Sequence, residues 1–173
     1  MAKSEQKDVQ IGDLQWVYRE LVPDTPHDKP PVVLLHGLVS QSYSWRDVMP
    51  AMAKYGFRSI APDWIGHGSS SKPDKRAFAY DPATYLSAFA DYIKALDLSR
   101  FSLVVQGFLG VTGLPYAAQN ADQNEKLIIL NSPLPPDANP PSGVKMMGWP
   151  LLGQVITQDP LLVDRTLEGS GPY

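Results

Sequence analysis

The segment from Phe101 to Gly110, FSLVVQGFLG, has the composition of a buried strand that runs into a tight turn and then a helix. Such a turn can lift one side chain above a sheet, where a nucleophile can attack a bound substrate. The position at this turn is Gly107, which has no side chain. Moving the turn by one or two residues places Gln106, Phe108 or Leu109 there, and none of these is a nucleophile. The segment therefore predicts a catalytic turn without a catalytic group.

Hydroxyl groups near this turn do not supply the missing nucleophile. Ser102 lies at the far end of the strand, and Thr112 lies more than a helical turn beyond the bend. Neither position is a strained turn that would expose the hydroxyl, so we expect no catalytic residue in this segment.

A hydrolytic site also needs a base, and histidine is the usual one. The chain has three histidines. His27 lies in a proline-rich loop and is expected to be solvated, while His36 belongs to a His-Gly turn. His67, in the loop GHGSS, is the remaining candidate and is expected near a pocket rim.

Composition limits the kinds of site that remain. The chain has 173 residues and a net charge of −3, which favours one soluble α/β domain and argues against nucleic-acid or polybasic membrane binding. There is no cysteine, so disulfides, thiolate metal sites and cysteine nucleophiles are excluded. The polar first eight residues do not resemble a signal peptide, and no apolar run is long enough to span a membrane. We expect a cytoplasmic protein with no cofactor and no metal.

Short apolar runs alternate with segments of helical spacing along the chain. The run from Leu14 to Leu21 predicts an edge strand with one wet face. Further strands are predicted at Val32–Leu35, Arg58–Pro62, Phe101–Gln106 and Lys126–Leu130. Helices are predicted at Trp45–Tyr55, from Asp81 or Thr84 to Leu96, and at Phe108–Gln119.

This alternation predicts an α/β fold, with a mostly parallel sheet and helices on both faces. In such sheets chemistry gathers at the carboxyl ends of the strands. Those ends are His36-Gly37, Asp63 to Gly68, Gly107 and Asn131. A proline group from Pro133 to Pro150 then predicts a boundary, with a sheet core over residues 1–135 and an appended segment over 136–173.

Two further motifs accompany the turn at Gly107. They are HGLVSQSYSWRDVMP, which begins at His36, and APDWIGHGSSSKP, which begins at Ala61. In this order and spacing, the three segments resemble the haloalkane dehalogenase and epoxide hydrolase branch of the α/β-hydrolase superfamily, over roughly residues 30–135. In the dehalogenase pattern an Asp occupies the place of Gly107.

The resemblance implies roles for particular residues. The backbone N–H groups of Leu38 and Phe108 would form an oxyanion hole, whereas their side chains cannot donate the hydrogen bonds that dehalogenases give to halide. Dehalogenation is therefore not expected. The structural motif would comprise His36, Gly37, Asp63, Gly66 and Gly68. The pocket candidates are Trp45, Trp64 and His67, although such aromatic residues are more often ordinary core.

The resemblance also implies a longer domain, with eight strands and a helical cap after the sixth. Residues 136–173 resemble the start of that cap, so we expect the chain to be an N-terminal fragment, incomplete at the C-terminus. The family's His base and one position of its acid would follow later, and in members with the acid after the sixth strand Asn131 stands near its place, with Asp137 as a weak alternative.

Three functions stay open at this point. The chain is expected not to be hydrolytic as given. It could be a non-catalytic protein that binds a partner or a small apolar or carbonyl-containing ligand. A longer parent could use a downstream His for water-mediated hydrolysis, or for cofactor-free lyase or oxygenase chemistry. The last strand would also leave an exposed apolar sheet edge, through which the chain could self-associate.

Overall fold

The computed structural model describes residues 3–25 and 28–132. The predicted boundary at residue 135, the segment 136–173 and His27 lie outside the described residues. In chain order the strands are β1 (Glu5–Ile11), β2 (Leu14–Leu21), β3 (Val32–Leu35), β4 (Ser59–Pro62), β5 (Phe101–Gln106) and β6 (Asn124–Leu130). The helices are a 3₁₀ turn (Ser42–Trp45), α1 (Val48–Lys54), α2 (Pro82–Ala95), α3 (Gly107–Gly110) and α4 (Gly113–Gln119).

The six strands form one sheet in the order β1-β2-β4-β3-β5-β6. β1 and β2 are antiparallel to each other, and β2 is antiparallel to β4. The pairs β3–β4, β3–β5 and β5–β6 are parallel. The predicted mostly parallel α/β sheet is therefore confirmed.

Helices cover both faces of this sheet because successive residues of a strand point to opposite sides. Val33 and Leu35 of β3 join the core cluster that contains residues of α2 and α4. Val32 and Leu34 of the same strand join the opposite cluster, which includes Met49 of α1. All four residues of β3 are buried, as its wholly apolar composition predicts.

Helix α2 begins where the sequence predicts. The Asp81 carboxylate accepts a hydrogen bond from the backbone N–H of Thr84 at 2.8 Å, and Pro82 is the first helical residue. Tyr85, Phe89 and Tyr92 then recur at helical spacing and are buried against the sheet. This helix contributes three aromatic side chains to the main core.

The prediction that β2 is an edge strand is wrong. The edge is β1, which pairs with β2 through the whole register from Glu5–Glu20 to Ile11–Leu14. Its sequence, EQKDVQI, carries little apolar signal, and only Val9 and Ile11 pack partly against the main core. Gly12, with φ +56°, makes the hairpin turn between the two strands.

Two predicted helices begin later than predicted, each with a proline in its first turn. Pro115 is the third residue of α4, so the segment predicted as one helix over 108–119 is broken between α3 and α4. A proline in the middle of a continuous helix would remove a hydrogen bond, whereas in a first turn it is tolerated. Pro50 likewise lies in the first turn of α1, which begins at Val48 rather than at Trp45.

Candidate functional site

The turn after β5 has a left-handed backbone at Gly107, with φ +63°. Gln106 before it is still extended, and α3 begins directly at Gly107. Residues with a Cβ lose about 1–2 kcal/mol in the left-handed region, so glycine relieves the strain of this bend. The sharp strand–turn–helix geometry is thus present without a side chain at its apex.

A second glycine turn, after β3, lies against the first. A Cβ added to Gly107 would lie 3.3 Å from the Cα of Gly37, and a Cβ added to Gly37 would lie 3.2 Å from the carbonyl oxygen of Gln106. Both separations are shorter than ordinary van der Waals contact. The turns that carry Leu38 and Phe108 are therefore held side by side at the carboxyl ends of β3 and β5.

The sequence interpretation did not identify two further glycines that permit this approach. A Cβ on Gly110 would lie 3.2 Å from the carbonyl oxygen of Leu35, and a Cβ on Gly113 would lie 2.6 Å from a methyl carbon of the same residue. Together with Gly107 they recur every three residues. That spacing was the available signal that α3 and α4 pack closely on the sheet.

The two proposed oxyanion donors have free backbone N–H groups among the described residues. Phe108 lies in the first turn of α3, where backbone N–H groups have no intrahelical acceptor. The structure gives the Leu38 N–H no acceptor within residues 3–25 and 28–132. The next residue, Val39, has φ +53°, which is unusual for a β-branched side chain and which no sequence pattern indicates. Within the described residues, neither N–H is therefore committed to a hydrogen-bond acceptor.

His36 is buried and fixed between the two loops that border the site. Its Nε2 accepts a hydrogen bond from the Trp64 backbone N–H at 3.1 Å, and its Nδ1 lies 2.7 Å from the Gly37 carbonyl oxygen. The Trp64 indole N–H also donates to the His36 carbonyl oxygen at 3.1 Å. Burial lowers the pKa of His36 to about 4, so the ring is neutral near pH 7. Since both ring nitrogens are engaged, His36 positions the turn and is not available as a base.

The Asp63 carboxylate ties together the loop after β4. It accepts hydrogen bonds from the backbone N–H groups of Ser42 at 2.6 Å and Ser69 at 2.8 Å. Gly68, with φ +50°, passes so close that an added Cβ would overlap this carboxylate. Gly66, with φ +90°, lies under the ring of Tyr80 in the same manner. These contacts support the structural roles that the resemblance implies for the three residues.

Within the described residues, His67 is the histidine that keeps a ring nitrogen without a hydrogen-bond partner. Its ring centre lies 5.5 Å from that of His36. Its Nδ1 is buried and has no hydrogen-bond partner among the described residues, and burial lowers its pKa. It lies in the loop after β4, and the turn residue Gly107 offers it no nucleophile to activate.

The two tryptophans proposed for the pocket are packed into the core. Trp64 is fully buried and contacts Trp16, Tyr85 and Phe89. Trp45 is 5% exposed and belongs to the cluster on the other face of the sheet. The two side chains lie on opposite faces of the sheet. Both positions agree with the alternative that these aromatic residues are core.

The remaining candidates lie away from the turn. Ser102 is buried near the start of β5, and the Thr112 hydroxyl donates to the carbonyl oxygen of Leu109. Asn131 follows β6 with φ +45° and is exposed. A groove of about 720 Å³ lies between α2 and α4 and includes neither Leu38 nor Phe108. Within the described part of the chain, no three metal-binding side chains come together.

A family model described as the alpha/beta hydrolase fold matches residues 30–163. The chain belongs to the α/β-hydrolase family. Its similarity to known members lies in the dehalogenase-like branch: it is 34% identical over 128 residues to a haloalkane dehalogenase of Mycobacterium marinum, and 37% identical over 128 residues to haloalkane dehalogenase 1 of Mycobacterium bovis. Each alignment covers 74% of this chain and 43% or 42% of the relative.

Solved structures agree with this assignment. The haloalkane dehalogenase DbeA from Bradyrhizobium elkani has a TM-score of 0.79 and 26% identity, covering 96% of this chain and 58% of that one. The haloalkane dehalogenase DatA from Agrobacterium tumefaciens has a TM-score of 0.73 and 29% identity, covering 90% and 53%. The aligned part of this chain thus spans less than half the length of these curated relatives. It spans just over half the length of the two solved chains.

No helix within residues 3–25 and 28–132 combines the length and the apolarity of a membrane span.

Proposed function

We propose that this chain is a non-hydrolytic member of the α/β-hydrolase family that binds a carbonyl or carboxylate oxygen at the turn after β5. One observation carries the proposal: the left-handed turn position is occupied by Gly107, which keeps the bend but has no atom that can attack a substrate. Covalent catalysis at this turn requires a side-chain nucleophile activated by a base. The backbone donors do not depend on that side chain.

The two donors are the N–H groups of Leu38 and Phe108. Paired backbone donors at such a turn hold developing negative charge in working enzymes, because they are fixed before the ligand arrives. Here the contact between Gly37 and Gly107 fixes the turns, and the hydrogen bonds of His36 and Asp63 fix the loops around them. The ligand class that fits is a small molecule with an apolar body and a carbonyl or carboxylate group.

Binding can be tested separately from catalysis. In an NMR titration of the full chain with butyrate, the amide signals of Leu38 and Phe108 should shift more than others. Phe108→Pro removes one donor at a first-turn position that tolerates proline, and it should weaken these shifts. Phe108→Leu keeps the N–H and should preserve them. Equal shifts in the proline and leucine variants would contradict the proposed donor.

Catalysis is tested with p-nitrophenyl esters, epoxides and haloalkanes, for which we expect no turnover. Gly107→Asp and Gly107→Ser should not create turnover, because His36 is engaged at both nitrogens and no hydrogen bond within the described residues links His67 to the turn at position 107. Turnover that His67→Ala abolishes would overturn the non-hydrolytic assignment.

A second function concerns a longer protein. Over half the length of the curated relatives lies outside their alignment with this chain, so a parent protein could bring a His and an acid from elsewhere. That parent would use a bound water, or cofactor-free lyase or oxygenase chemistry, in place of a covalent intermediate at Gly107. Turnover by the parent that persists in its Gly107→Ala variant would support this alternative. The cytoplasmic location remains a prediction from the sequence.

A further inference from the structure

The turn at Gly107 differs from the other glycine contacts of the site in the room around it. Cβ atoms added to Gly37, Gly110 and Gly113 would each meet at least three heavy atoms within 4 Å. A Cβ added to Gly107 would meet the Cα of Gly37 at 3.3 Å and, its own helix and chain neighbours aside, no other described atom within 4 Å. The dehalogenase pattern that this turn resembles has an Asp at position 107, so the complete fold of that branch has room for a carboxylate side chain here. Gly107 therefore leaves a space the size of a short side chain.

The two proposed donors adjoin this space. At a sharp strand–turn–helix bend, the N–H group after the turn residue and an N–H group from a second loop face an oxygen held next to the turn side chain. In this chain the two N–H groups belong to Phe108 and Leu38, and the contact between Gly107 and Gly37 keeps their turns together. A glycine also lets a ligand approach the backbone, with an oxygen about 3.3–3.6 Å from the Cα. A ligand group with two oxygens can therefore fill the space and still reach the donors.

We propose that Gly107 determines specificity, because it admits the carboxylate of a small organic acid into the space that a side chain would fill. The inference rests on the proposed oxygen-binding function and narrows its ligand from a carbonyl or carboxylate compound to a carboxylate. A hydrogen bond to an ionised acceptor is roughly twice as strong as one to a neutral acceptor, so the two N–H groups favour the carboxylate.

The absence of a side chain also removes a competing charge. An Asp at position 107 would place its own carboxylate next to the N–H groups and would repel a second anion. Glycine leaves the donors free of that carboxylate. The buried acid of the adjoining loop, Asp63, already accepts backbone hydrogen bonds from Ser42 and Ser69 at its two oxygens. The residue that lacks a nucleophile is thus also the residue that lets an anionic ligand bind.

An NMR titration of the full chain with acetate tests the subsite. In the wild type, acetate should shift the amide signals of Leu38 and Phe108, and acetamide, which has the same shape and no charge, should bind more weakly by about tenfold. Gly107→Asp fills the space with a covalently attached carboxylate. Without any ligand, its Leu38 and Phe108 signals should therefore lie where acetate moves those of the wild type, and added acetate should move them no further.

Gly107→Asn is the matched control, since Asn has the shape of Asp, has no ionisable group and also tolerates a left-handed backbone. In Gly107→Asp the Leu38 and Phe108 signals should titrate with the new carboxyl group as the pH falls. In Gly107→Asn they should not, apart from the change near about pH 4 that His36 causes in both variants. Gly12→Ala places a side chain at another left-handed turn with nothing within 4 Å, so it should bind acetate like the wild type.

The outcomes separate this inference from the function on which it rests. Unchanged Leu38 and Phe108 signals in the wild type with both acetate and butyrate would refute the oxygen-binding site itself. Shifts with butyrate but not with acetate, equal affinity for acetamide and acetate, or acetate shifts of wild-type size in Gly107→Asp would overturn only the carboxylate subsite. The same holds if the two signals do not titrate in a folded Gly107→Asp. Acetate and acetamide decide the question in the wild type even where Gly107→Asp does not fold.

Discussion

Replacing Gly107 with alanine should lower the free energy of unfolding by about 2 kcal/mol, through two separable effects. The first is backbone strain, because alanine disfavours the φ of +63° at this turn. The second is steric, because the new Cβ would lie 3.3 Å from the Cα of Gly37 and the turns would have to separate by a few tenths of an ångström. The prediction tests the geometry that holds the two backbone donors together.

Two other glycines separate these effects. Gly12 has a similar φ of +56° but nothing within 4 Å of an added Cβ, so Gly12→Ala measures backbone strain alone. A left-handed alanine loses about 1–2 kcal/mol, offset by about 0.4–1 kcal/mol from the reduced freedom of the unfolded chain, which leaves about 1 kcal/mol. Gly37 is not left-handed, yet its Cβ would lie 3.2 Å from the Gln106 carbonyl oxygen, so Gly37→Ala measures the contact, also about 1 kcal/mol.

Urea unfolding followed by tryptophan fluorescence provides the measurement, because Trp16 and Trp64 are fully buried in the main core. The double variant Gly37→Ala/Gly107→Ala should lose less than the sum of the single losses, since separating the turns once accommodates both side chains. If Gly107→Ala loses no more stability than Gly12→Ala, the two turns are not in contact and the reasoning fails. A fully additive double variant would also contradict it.

Further predictions concern the stability of variants at other positions. The free energy of unfolding should fall by about 3 kcal/mol as the pH decreases from 6.5 towards 4, because His36 gains a proton near pH 6.5 when unfolded and only near about pH 4 when folded. In urea unfolding at a series of pH values, His36→Gln should reduce this dependence. Tyr92→Phe should leave thermal stability unchanged or raised, since its buried hydroxyl has no partner among the described residues, whereas Tyr85→Phe should lose about 1 kcal/mol with its bond to the Ile65 carbonyl oxygen. Val39→Asn should gain about 0.5–1 kcal/mol in urea unfolding by relieving a left-handed β-branched residue; a loss would show that the Val39 side chain stabilises the loop.

The elements with strong local signals were predictable. The wholly apolar run of β3 gave a strand buried on both faces, and the cap and aromatic spacing of α2 gave its start and its inner side. The sharp turn at Gly107 followed from a strand, a glycine and a helical segment in succession. In each case the information lies within a few neighbouring residues.

The features that were missed depend on distant residues. β1 has few apolar residues and exists because β2 pairs with it, which also moves β2 from the edge to the interior of the sheet. Trp45 and Trp64 both follow motifs at the carboxyl ends of strands, yet they pack on opposite faces. Local sequence does not specify which face or neighbour a residue will meet, so such placements require the assembled sheet.

The proposed absence of covalent chemistry at Gly107 is consistent with the stability of the turn. A side chain at this position would have to accept a left-handed backbone and a close contact with Gly37, whereas glycine accepts both. Strained residues persist at functional sites because their chemistry is needed. At a turn that carries no such chemistry, glycine is the more stable residue. The hydrogen bonds of His36 and Asp63 do not involve position 107, so the placement of the proposed donors Leu38 and Phe108 does not depend on a side chain there.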